Sequence, residues 1–164
     1  MTTKCEPPTP LRERFARTVC DCLNCSRHCH HMPGMLGTGD LQRIADHMGV
    51  VPAEILHLFR ASPGALAMRG DQTFHIGTIV PAKRKDDGCC VFLMDDGRCR
   101  IHEVAPYGCS HFDDHMDAAE EKLRSSLMLQ ELLTDRHYAL EREMVARVGG
   151  TARDPVSLRK EYMQ

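Results

Sequence analysis

A chain of 164 residues with 42% hydrophobic and 27% charged residues has the size and composition of one soluble globular domain that can bury its own core. The formal charge of -2 argues against dominant phosphate-backbone binding, so no nucleic-acid partner is expected, and no apolar run approaches the roughly 20 residues of a membrane span. The unusual features are nine cysteines, ten histidines and no tryptophan.

Residues 1–10 hold Pro7, Pro8 and Pro10 and no apolar h-region. They read as an extended tail without a signal peptide, which places the chain in the cytoplasm and its cysteines among reduced thiols or ligands rather than disulfides. Cys5, in that tail, is expected to be dispensable. Leu11, Phe15 and Val19 share one face of a short predicted helix. A loop over 32–39 leads to Asp40, the expected N-cap of a helix over Leu41–Met48 that Gly49 stops. Pro52 starts a further helix through Arg60, which Ser62-Pro63-Gly64 breaks. Thr73–Val80 alternates as a strand, and Lys83-Arg84-Lys85 reads as a solvated loop. Cys90–Met94 and Arg98–Ile101 read as two short strands around an Asp95-Asp96-Gly97 hairpin turn. Asp117 caps a long helix from Ala118 to Val148 with Leu123, Leu127, Leu132, Leu133, Leu140, Met144 and Val148 as its stripe, and Gly149-Gly150 ends it.

Eight of the cysteines fall in two bursts. The first is Cys20, Cys22, Cys25 and Cys29, interleaved with His28, His30 and His31; the second is Cys89, Cys90, Cys99 and Cys109. A Cys-x2-Cys step lets two sulfurs converge on one ion, and thiolates with imidazoles suit zinc, copper or iron–sulfur centres. Spacing is less specific in the second burst, where each cysteine taken singly reads equally as a small core residue. Cys89 reads as the spare of its pair, because a strand turns it away from Cys90. The expected ligands are Cys22, Cys25, Cys29, Cys90, Cys99 and Cys109, with His30 and Cys20 as additions. The two bursts are expected to converge.

Cys22-x2-Cys25-x3-Cys29-His30, Asp40-Leu41-x-Arg43-Ile44-Ala45, Cys90-x-Phe92-Leu93, Gly97-Arg98-Cys99-x-Ile101-His102-Glu103, Pro106 and Cys109-x-x-Phe112 together resemble the YkgJ-type cysteine-cluster family. The resemblance spans roughly residues 20–115. It implies a zinc- or iron-chelating domain, with many members labelled iron–sulfur proteins and a related domain in flagellin lysine methylases. The chain departs from the family at His30, usually cysteine, at Ala105, usually arginine before proline, and at Ser110, usually arginine.

These readings imply an α+β fold: a small metal-stapled domain with a short β-hairpin, several short helices and one long C-terminal helix. Its expected organisation is a tail and short helix over 1–19, the cysteine-cluster domain over 20–115, the long helix over 116–150 and a polar tail over 151–164. The expected function is metal binding, with an iron–sulfur cluster or zinc. A metal-dependent redox or group-transfer enzyme would draw its acid–base groups from His102, Glu103, Tyr107 and His111. A zinc-stabilised interaction module would offer the 118–148 helix to a protein partner.

Overall fold

The computed structural model describes residues 11–18, 20, 22–69 and 71–152; the expectations for Cys5, for Val19, for the tail over 1–10 and for 153–164 of the C-terminal tail lie outside these. The fold is α+β, built on one antiparallel hairpin. Strand β1 (Phe59–Arg69) pairs with β2 (Gln72–Pro81), from Phe59 opposite Pro81 to Arg69 opposite Gln72. The register shifts between Ser62 and Ala65. Pro63 and Gly64 occupy this irregularity, where a missing N–H costs no ladder bond. Gly64 has φ +123°, and a Cβ there would lie 1.9 Å from the Ile76 carbonyl oxygen. The dipeptide that reads as a helix breaker is thus a bulge inside a strand. The preceding helix is correspondingly short: α5 (Pro52–Ile55) passes through a 3₁₀ turn at Leu56–Leu58 directly into β1.

The hairpin therefore lies at 59–81 and not at 90–101. The later segment makes only isolated bridges, Lys83 to Cys90 and Leu93 to Cys99, around a turn closed by Met94 N–H on the Arg98 carbonyl at 2.8 Å. Arg84 is not merely solvated. It forks onto the Asp87 carboxylate and donates to the Leu93 carbonyl at 2.6 Å, pinning this loop.

Helix α1 (Leu11–Arg14) covers only the start of the predicted first helix. Helix α4 (Asp40–Met48) starts one residue earlier than expected, with Gly39 at φ +77° in the cap position. Asp40 is freed from capping and fully buried. It accepts from Gly37 N–H and Tyr107 N–H, both at 2.7 Å, and pairs with Arg12 at 2.5 Å and Arg43 at 3.1 Å. The C-terminal helix is two helices, α7 (Ala118–Thr134) and α8 (Arg136–Val148). Asp117 caps α7 as expected, accepting from Ala119 N–H at 2.6 Å. Asp135 divides the helices and caps α8 through His137 N–H at 2.9 Å.

Their inner face differs from the predicted stripe. Met128, Leu129, Leu132, Tyr138 and Val145 are buried, whereas Leu123, Leu133, Leu140, Met144 and Val148 are exposed. Polar groups fix this phase. The Tyr138 hydroxyl accepts from Ile79 N–H and donates to the Leu36 carbonyl, both at 2.9 Å, and Arg124 donates to the carbonyls of Ala16 and His111. One core joins Leu11, Leu36, Leu41, Ile44, Phe59, Ile79, Phe92, Ile101 and Tyr107 to these helices. No helix among the described residues is long and apolar enough to cross a membrane.

Candidate metal centre

Two four-residue turns, α2 (Leu23–Ser26) and α3 (His28–His31), carry the first burst. Cys22 is extended (φ -63°, ψ 161°) just before α2, so the chain reverses and Ser26 N–H bonds the Cys22 carbonyl at 3.0 Å. This reversal brings Cys22 and Cys25 together. Cys20, Cys22, Cys25 and His115 then place one ligand atom each within 4.8 Å of one another. His115 comes from the turn after α6 (Tyr107–Ser110), where its N–H rests on the Asp113 carboxylate at 2.9 Å. The same turn is tied to the burst at two further points: His28 Nε2 meets Asp114 at 2.8 Å, and Asp114 N–H points at Cys25 Sγ at 3.5 Å.

The protons in this group are unequally held. The backbone N–H of Cys25, then His115 and Cys20, hold the Cys22 thiol down at about 6. His115, whose Nε2 lies 3.3 Å from Cys22 Sγ, is raised by that bond and by the sulfur's charge. Cys25 is pushed up to about 12, first by lost hydration and, against the Asp114 N–H, by its sulfur neighbours. Three sulfurs and one imidazole match the donor set of a closed tetrahedral zinc site, whose Zn–S bonds of about 2.3 Å set ligand atoms about 3.8 Å apart.

Cys29 belongs elsewhere. Its carbonyl accepts from Cys90 N–H at 2.7 Å, joining the first burst to the second. Burial raises the Cys90 thiol to about 11, with further push from Cys29 and Cys99. Cys99 is raised by burial and by Cys29, and Cys29 by burial and by Cys89. Cys109 is exposed as a residue, but its sulfur loses hydration and also feels Cys29, Cys90 and Cys99. Backbone pairing sets these segments side by side, Cys29 with Cys90 and Leu93 with Cys99. Cys109 is held there by two glycines back to back. A Cβ on Gly34 would lie 2.2 Å from the Gly108 carbonyl carbon, and one on Gly108 would lie 2.5 Å from Met35 N. This approach lets Gly34 N–H donate to Cys109 Sγ at 3.2 Å. Among the described residues, no three of these four sulfurs come within 4.8 Å of one another, so the group is wider than the first.

The structure thus brings Cys22 and Cys25 together with Cys20 and His115 and links the backbones of Cys29 and Cys90, while Cys99 and Cys109 lie outside the compact group. His30 joins neither; its Nδ1 faces Cys89 Sγ at 3.4 Å. Cys89 is buried like Cys90, and since neither lies in a strand, the alternation that made it a spare does not operate. His115 carries no local signal in the sequence, because only the fold returns the 113–115 turn to the burst. The acid–base candidates do not form a site. Tyr107 and His111 are fully buried and stacked at 4.5 Å, with His111 Nε2 donating to the Arg12 carbonyl at 3.2 Å. His102 and Glu103 lie on an exposed 3₁₀ turn, where Arg17 takes their carbonyls. All eight described cysteines are free thiols.

Comparison with family models, with curated proteins and with solved structures returns no match to this chain.

Proposed function

We propose that this is a metal-binding protein with two centres: a single zinc ion on Cys20, Cys22, Cys25 and His115, and an iron–sulfur cluster on Cys29, Cys90, Cys99 and Cys109. The observation that carries the reading is the compact Cys₃His group, whose ligand atoms lie within 4.8 Å of one another, with Cys29, Cys90, Cys99 and Cys109 left outside it. One ion draws its four ligands close. A cluster spreads them, because they bind different irons. Resemblance to the YkgJ-type family supports the same chemistry, and eight free thiols support a reducing compartment, the cytoplasm. When bound, zinc would supply a redox-silent staple and the cluster an electron site. The chain's own contribution is the N–H···S bonds from Asp114 and Gly34, which offset sulfur charge.

Anaerobic purification with metal analysis and an absorption spectrum tests this reading. Zinc and iron should both be present. Cys22→Ser should remove zinc and leave the iron absorption, and Cys99→Ser should do the reverse. Zinc alone at both centres would reassign the second, and a metal-free protein would overturn the proposal.

A further inference from the structure

A cavity of about 560 Å³ opens between the α2–α3 turns and the 83–89 loop. Its lining includes Arg27, His30, His31, Lys83, Asp87 and Cys89. Neither proposed centre uses Cys89 or His30. Yet Cys89 Sγ and His30 Nδ1 stand 3.4 Å apart. Two ligands at about 2.3 Å (sulfur) and about 2.0 Å (nitrogen) from a tetrahedral ion lie about 3.5 Å from each other, so the pair already has the bite of a chelate.

Two features keep this position open. Asp87, the cavity's carboxylate, is engaged by the Arg84 fork and by Cys89 N–H at 2.9 Å. The remaining space belongs to the cavity, so the other coordination positions face solvent, as at zinc sites that exchange ligands. Charge then selects the form of the ion. Among the described residues neither Arg27 nor Lys83 pairs with a carboxylate, so two uncompensated cations line the entrance. They disfavour a bare divalent cation and favour one carried by an anionic chelator.

We infer that Cys89 and His30 form a third, open metal position that takes a borderline divalent cation as its anionic carboxylate complex, with the protein supplying two ligands and the carrier the rest. This extends the metal-binding reading without depending on the identity of either closed centre.

The probe is cobalt(II) citrate titrated into the protein as isolated, with its closed centres loaded. Thiolate-to-cobalt charge-transfer absorption should appear and saturate at one equivalent. Cys89→Ser and the exposed His30→Gln should each weaken it at least about tenfold while leaving the resident metal content intact, which also reports that both variants fold. Arg27→Glu with Lys83→Glu should weaken cobalt citrate binding but not that of aqueous cobalt. Absence of the absorption, its persistence in Cys89→Ser, or equal effects of the charge reversal on both forms of cobalt would overturn the inference. Failure of the closed-centre reading has a different signature: a protein isolated without zinc or iron, whose cobalt absorption still differs between the parent chain and Cys89→Ser.

Discussion

Asp40 is the residue on which most of the site's scaffold turns. Its carboxylate is wholly buried and meets Arg12, Arg43 and two backbone N–H groups, one on the loop that carries Gly34 and one at the start of the helix that carries Cys109. Asp40→Ala would leave Arg12, itself largely buried, and both N–H groups without their acceptor. Breaking a buried pair in this way costs about 3–5 kcal/mol. Asp40→Asn keeps one acceptor and should cost less. Denaturant unfolding measures both, and a loss below about 1 kcal/mol for Asp40→Ala would show that water replaces the carboxylate. Sequence reading recognised Asp40 as a helix-start residue from its neighbours. It could not see Tyr107, 67 positions away, and so mistook a long-range anchor for a cap. The same limit applies to the cysteines. Their burst spacing marks them as ligands, but the assignment of Cys29 to one group and of His115 to the other depends on contacts across 61 and 93 positions, Cys29 with Cys90 and Cys22 with His115.

At the scale of elements, three helix ends were legible, the helices' extent and phase less so. Asp117, Gly49 and Gly149 mark ends that the structure keeps within a residue, because caps are local chemistry. Which face turns inward is decided by the partner. On α8 the predicted stripe of Leu140, Met144 and Val148 points outward, while Tyr138, Glu141 and Val145 point inward. Tyr138 reaches two backbone groups of the core, and Glu141, raised by burial against the pull of His137, sits one turn on. The two phases predict opposite mutational behaviour. Val145→Asp puts an unpaired carboxylate into the core and should cost about 3 kcal/mol or more. Leu140→Lys changes an exposed position and should stay within about 0.5 kcal/mol. Chemical denaturation of the two variants decides between the phases, and a reversed order of their midpoints would restore the stripe read from the sequence. The bulged strand β1 was illegible for a related reason. A Ser-Pro-Gly run after a helical pattern reads as a helix breaker, but in a strand proline and glycine are tolerated at an irregularity that only the pairing reveals.

For the whole molecule, the question is how much of the fold the metals hold. Structural zinc can contribute about 10 kcal/mol, comparable to the 5–15 kcal/mol stability of an entire domain, so metal loss could in principle unfold everything. The distribution of buried residues argues otherwise. Helices α2 and α3 bury no residue fully, and of their residues Cys29 alone packs partly buried against the core, so little apolar contact holds them without a metal. Leu36, Leu41, Ile44, Phe59, Ile79 and Tyr138, none of them a ligand, make up much of the core that also takes in Cys90, and they are cross-linked by the Leu36 N–H bond to Ile79 at 2.8 Å and by the Tyr138 hydroxyl. Chelation of the metal-loaded protein should therefore open the first burst and spare the core. Amide hydrogen exchange reads this directly. Ser26, His30 and Cys90, whose N–H groups bond to Cys22, Arg27 and Cys29, should lose protection. Leu36, bonded to Ile79, and Ala61, bonded to Gly150, should keep theirs. Simultaneous loss at all five positions would show that the metal holds the whole fold. Unchanged exchange after verified metal removal would show that the two short helices stand without it.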